Sequence, residues 1–133
     1  MNAPSEDIKD MLEAESSLGL TFAENLFIGK EPTIPHDCVT IYDEIGNMPD
    51  LAMDGTTYYY PIIQIRVRSI GYREGWTLIN NIMLSLHGRA NETWNDALYT
   101  VIYCSSGPAL LTWDDNEFCK FIVNFNLQRR ESA

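Results

Sequence analysis

Between Thr57 and Gly88 the sequence changes period once, and that change limits what the chain can fold into. From Tyr59 the odd positions read Tyr59, Pro61, Ile63, Ile65 and Val67. The even positions from Gln64 read Gln64, Arg66 and Arg68. Alternation with period two predicts a strand with one face on a core and the other on water or a partner. Ser69 and Gly71 interrupt it, and Tyr72, Gly75, Ile79, Ile82, Met83 and Leu86 then recur at helical spacing until Gly88. A strand and a helix joined by two or three residues must pack on each other. This pair sets the scaffold.

The rest of the chain has to supply the remaining layers, and 133 residues suit a single domain spanning 1–133. No apolar run approaches the roughly 20 residues of a membrane-spanning helix, and Met1–Asp7 lacks the basic-then-apolar pattern of a secretory signal. Cys38, Cys104 and Cys119 are odd in number and lack CxxC spacing, so they read as reduced thiols rather than as a disulfide frame or zinc site. The net charge of -10 is unevenly placed: residues 1–55 carry twelve acids and two bases, residues 56–133 seven of each. An acidic chain argues against bulk nucleic-acid binding. It suits docking between unlike patches of neighbouring subunits.

Ser5 is the expected N-cap of a first helix, with Ile8, Met11, Leu12 and Glu15 on one edge and an end near Gly19. Leu20 and Phe22 fold back over it. A short strand, Asn25–Gly29, precedes a proline-rich loop (Lys30–His36) and a strand, Cys38–Asp43. Residues 44–56 read as the longest loop; Ile45, Met48, Leu51 and Met53 in it are what a partner would grip, unless they fold onto their own domain. After the helix, Arg89–Asp96 reads as a polar connection. Tyr99–Ser105 and Ala109–Trp113 read as two strands around a Ser106-Gly107-Pro108 turn. Asp114–Glu117 reads as a hairpin turn, Phe118–Gln128 as the last strand and Arg129–Ala133 as a frayed tail. The order α-β-β-β-α-β-β-β predicts an α+β, two-layer domain: a mostly antiparallel sheet with two helices packed on one face. Gln64, Arg66, Arg68, Lys120, Asn124 and Asn126 then lie on the opposite, polar face.

Chemistry is scarce. His36-Asp37-Cys38 places an imidazole and a thiol on one side of an extended chain, but a cysteine nucleophile also needs a positioned base and an oxyanion site. His87 suits a helix C-terminus. Asp114–Glu117 is too short for a calcium loop. Phosphate-binding glycine motifs, HExxH and paired carboxylates are absent, so no catalytic residue, cofactor or metal ligand is assigned. The Tyr58-Tyr59-Tyr60 run and Trp76, Trp94 and Trp113 can stack on bases, yet aromatics in strands and helices usually serve a core or an interface. Three readings follow: an assembly subunit, a small nucleic-acid-binding module using the Arg66/Arg68 face, and a hydrolase using His36 and Cys38.

The order of segments resembles a known family. Asn25–Gly29 with Pro32 and Pro35, Val39–Asp43 with Gly46 and Pro49, Tyr59–Arg68 running into the helix that ends Leu86-His87-Gly88, and the hairpin at Asp114-Asp115-Asn116 with Phe121–Phe125 are similar to the small neck proteins of tailed bacteriophages, the minor capsid, tail-completion or tail terminator proteins. The resemblance implies a non-enzymatic virion subunit of the tail and neck, made in the host cytoplasm, with no membrane association. It implies a ring, commonly a hexamer, that caps the tail tube, stops its polymerisation and joins tail to head. The partners implied are further copies of the chain, a tail-tube protein and a head-completion or connector protein, with DNA passing through the lumen. Gln64, Arg66 and Arg68 on the sheet face, and Ile45, Met48, Leu51 and Met53 in the 44–56 segment, are the interaction residues expected.

Overall fold

The structure, a computed structural model, describes residues 1–132; Ala133, at the end of the expected frayed tail, lies outside the described residues. Helix α1 (Pro4–Ala14) and a 3-10 turn (Ser16–Leu18) precede strands β1 (Leu26–Ile28), β2 (Cys38–Leu51) and β3 (Thr57–Ser69). Helix α2 (Tyr72–Leu86) follows, then β4 (Glu92–Trp94), β5 (Ala97–Trp113) and β6 (Cys119–Glu131). The strands form one six-stranded sheet in the order β1-β2-β3-β6-β5-β4. Every pairing is antiparallel except the short β1 against β2. Both helices contribute to a single core on one sheet face, the expected two-layer α+β arrangement.

The period change at Thr57–Gly88 has the consequence its pattern demands. Ile63, Ile65 and Val67 of β3 and Phe121, Val123 and Phe125 of β6 are buried beneath Ile79, Ile82 and Leu86 of α2 and Ile8, Met11 and Leu12 of α1. Each such side chain taken from water contributes roughly 1.5–3 kcal/mol. Gly75 lets α2 come this close: a Cβ there would stand 2.7 Å from Phe121 Cε2 and 2.8 Å from the Ser69 Cβ.

The first turn of α1 is held by groups far away in sequence. Ala3, not Ser5, is the N-cap residue, and it makes no side-chain cap bond. One orphan donor is met by Asp43 of β2, whose carboxylate accepts the Ser5 amide at 3.0 Å and the Ser5 hydroxyl at 2.6 Å. One turn on, Asp7 is wholly buried. It accepts from the Tyr99 hydroxyl, from Asn95 Nδ2 at 2.8 Å and from Arg129 Nη1 at 3.3 Å. Arg129 also donates to the Asn2 carbonyl at 2.9 Å, while its Nε has no partner among the described residues. Burial, and then the Asp7 hydrogen bond, push the Tyr99 phenol well above its ordinary value, so it stays a donor. The expected frayed tail is therefore corrected: β6 runs to Glu131, and Arg129 is part of a buried ion pair.

Residues 99–113 also depart from expectation. They form one strand, not two around a turn, because Gly107 and Pro108 fall within a register slip between Ser106 and Ala109. Proline is tolerated there because that edge of β5 has no neighbour. A further slip sets Tyr99 opposite Arg129 but Val101 opposite Gln128. One residue is extra, so the core-facing role passes from Tyr99 to Ile102, and strict alternation along the strand is lost. The polar connection Arg89–Asp96 contains β4, paired with Ala97–Tyr99.

Candidate assembly surface

On the helix-free face, side chains from four strands form a polar chain and a separate polar pair. Arg66 donates its Nε to Gln64 Oε1 at 2.7 Å, and its guanidinium lies over the Tyr42 ring, 5.1 Å from the centroid. Gln64 donates to Asn124 Oδ1 at 3.2 Å, Asn124 to Ser106 Oγ at 2.7 Å, and Asn126 to the Tyr103 hydroxyl at 3.2 Å. Gln64 and Arg66 thus lie together, as their spacing predicts.

Arg68 does not belong to that open face. It is buried, and its Nε donates to the His36 carbonyl at 2.9 Å. Its Nη2 donates to the carbonyls of Pro32 at 2.6 Å and Pro35 at 2.8 Å. Glu31 neutralises it at 3.3 Å and also pairs with Lys120 at 3.2 Å. The guanidinium is the clamp that folds the proline-rich loop over the sheet, supplying donors to carbonyls that no strand satisfies. The exposed two-arginine strip reduces to Arg66 alone.

The 44–56 segment is likewise not a loop. β2 and β3 continue pairing through it as a hairpin arm, in which β6 backs β3 as far as Tyr59 opposite Arg129, with only the turn at Ala52–Thr56 outside the strands. Two single-residue slips, between Glu44 and Asn47 and between Asn47 and Asp50, erase the alternation a sequence reading looks for. Gly46 sits in the first; a Cβ there would lie 2.3 Å from the Tyr60 carbonyl oxygen. The arm is stiffened by the Tyr60 hydroxyl donating to Asp50 at 2.9 Å. At its tip Asp54 accepts the Thr56 amide, a bond that holds its carboxyl below the usual range. Ile45, Met48, Leu51 and Met53 do not fold back. Their exposures are 94, 84, 75 and 108%, as open as side chains in an extended peptide.

A second apolar region, missed in the sequence, lies at the opposite corner of the sheet. Tyr72 and Trp76 from the start of α2 pack on Phe121, Tyr72 edge-on at 5.2 Å, and Trp113 from the end of β5 stacks on Tyr72 at 6.3 Å. All three outer rings, with Leu110 and Leu111, remain exposed. The available signal was Tyr72 and Trp76 at i,i+4 on the first turn of a helix, one step beyond its buried stripe.

The catalytic reading loses its geometry. The His36 ring packs on Phe118 at 4.7 Å, and no hydrogen bond joins it to Cys38 among the described residues. Cys38 is buried, which raises its thiol despite the opposing pull of Arg68. His87 accepts the Cys104 amide at its Nδ1, 2.9 Å away. Asp114 closes the last hairpin, as its composition predicts, by accepting the amides of Asn116 and Phe118 at 2.9 Å. No group of three or more His, Cys, Asp or Glu side chains is placed to hold a metal among the described residues, and no helix is long and apolar enough to cross a membrane.

Comparison with known proteins adds three findings. A family model described as "Bacteriophage tail terminator protein" matches residues 6–130. No curated protein matches the chain. A solved structure described as the virion of a native gene transfer agent particle contains a chain similar in fold, with a TM-score of 0.67 over 96% of this chain and 95% of that one at 9% identity.

Proposed function

The chain belongs to the bacteriophage tail terminator family, a structural component of the virion tail and neck, and we propose that its copies close into a ring that caps the tail tube, stops its polymerisation and offers the surface to which the head joins. The observation that carries this reading is the stiff arm with four wholly exposed apolar side chains, a surface that a lone soluble chain has no use for. Its partners are other copies of the chain, a tube protein and a head-completion or connector protein. A hexamer is the expected closure. The helix-free face turns toward the lumen: Gln64, Asn124 and Ser106 bond one another there, and, among the described residues, the Arg66 guanidinium keeps donors free. Arg66 is then the cation that passing DNA meets, as one transient contact. A separate nucleic-acid-binding role loses support with the burial of Arg68.

Growing tail tubes provide the test. Added during polymerisation, the chain is expected to shorten tubes in negative stain and to appear as extra density at one end. Unchanged tube lengths with no binding to tube ends would refute the proposal.

A further inference from the structure

Each edge of the sheet is half covered and half bare, and the two bare halves are diagonal to each other. On one edge, β1 pairs with Val39–Ile41 of β2 and stops, leaving Glu44–Leu51 with no outer neighbour. On the other, β4 pairs with Ala97–Tyr99 of β5, and the 88–91 link and His87 bond its backbone as far as Cys104. Ser105–Trp113 then has no outer neighbour. β2 enters its bare half as it leaves the helix-covered body, whereas β5 enters its own at the end where β3 meets α2. Long bare edges with large apolar side chains are what soluble proteins ordinarily avoid.

We propose that these two edges are one joint: the Glu44–Leu51 edge of one copy pairs, antiparallel, with the Ser105–Trp113 edge of the next. The inference rests on the ring reading and specifies how the ring is built. Four features of the chain support it. The two edges match in length, at eight and nine residues. They sit at opposite ends of the sheet, so the stub β1 of one copy and the stub β4 of its neighbour stay out of each other's way. β2 and β5 run in opposite senses within the chain. Rotation about a ring axis preserves each strand's sense along that axis, so the joint is antiparallel and continues the pattern of the sheet. Finally, the joint brings Ile45 and Met48 beside Leu110, Leu111 and Trp113, so that the root half of the arm and the aromatic corner cover each other.

The diagonal offset staggers successive copies, so strands in a closed ring tilt from its axis, as in any sheared barrel. Charge opposes the joint. The arm carries Asp43, Glu44, Asp50 and Asp54 without a base, and the far edge ends at Asp114, Asp115 and Glu117. This repulsion guards the bare edges in the free chain, and it makes association rise with salt rather than fall.

Two variants and their mixture test the joint. Ile45→Lys with Met48→Lys spoils one edge, and Leu110→Lys with Leu111→Lys spoils the other; all four side chains are exposed, so the fold tolerates them. Under conditions where the wild type forms rings, native mass spectrometry should find each variant monomeric and their equimolar mixture a heterodimer of twice the 15.2 kDa chain mass. A variant that pairs with itself, or a mixture that stays monomeric, overturns the joint. Hydrogen exchange on the wild type supplies a reading free of mutation: amides in 44–51 and 105–113 should both slow at least tenfold in the ring. Rings in which either segment exchanges as in the monomer refute the joint and leave the ring standing. A wild-type chain that forms no ring, with or without tail tubes, refutes both.

Discussion

The two halves of β2 belong to one strand and live under opposite rules. Cys38–Ile41 is buried throughout, whereas Asp43–Leu51 is exposed throughout. The first half is fixed by a core on one face and by Arg68 and the proline-rich loop on the other. The second is fixed only by β3 and by two slips in register. Side chains in the body therefore set stability, and side chains in the arm are left to set association. The same division separates the two ends of β5, where Tyr99 and Ile102 are core residues and Leu111 and Trp113 are surface.

Mutation can break that division or sharpen it. The largest expected effect is from Asp7→Ala, which strands Arg129 and the Tyr99 hydroxyl in the interior; a loss of about 3–5 kcal/mol in urea unfolding is expected. A loss below about 1 kcal/mol would show that the body is not organised around this ion pair. Gly75→Ala should cost about 1–3 kcal/mol, since α2 must lift from Phe121 to admit the methyl group. Gly46→Ala meets backbone rather than a side chain, but in the arm. It is expected to lower the melting temperature by only a few degrees, an estimate of about 1 kcal/mol, while abolishing ring formation. A large drop in melting temperature would mean that the arm contributes to the core after all.

Smaller still, Arg66→Ala should change stability by less than about 1 kcal/mol, because its partners are half-exposed; Arg68→Ala, at the neighbouring outward position, should cost several times more. Stability should also fall above about pH 10, the ordinary phenol value. There the unfolded chain loses the Tyr99 proton that the folded chain retains. Tyr99→Phe should flatten that limb of the pH profile.

How much of this could be read from the sequence follows the same division. Where one face meets a core, the pattern is plain: Ile63, Ile65 and Val67, the α2 stripe, and Phe121, Val123 and Phe125 were all legible, and with them the fold. Where no core disciplines the chain, it was not. Gly46 and Pro49 look like loop punctuation but are bulge residues, and Gly107-Pro108 looks like a turn but lies within a strand. Arg68 alternates in phase with Arg66, and nothing local tells that a loop thirty residues earlier will cover one and leave the other. Ser5 has the composition of a cap, yet the cap comes from Asp43. Ile45, Met48, Leu51 and Met53 were identifiable as partner-facing by their chemistry, although the structure they belong to was not. Long-range partners are invisible to periodicity; exposed apolar residues are not.

Asp43 has one further consequence. It is the residue at which β2 leaves the body, and its carboxylate holds the first turn of α1. The root of the arm and the start of the helix therefore share a single fastening. A force that bends the arm acts on a lever whose pivot is that carboxylate, and the first place to give is the opening turn of α1, more than thirty residues away in sequence. Strain from a crowded or misaligned neighbour would be felt as fraying at Pro4–Glu6 before the buried Asp7 contacts are lost.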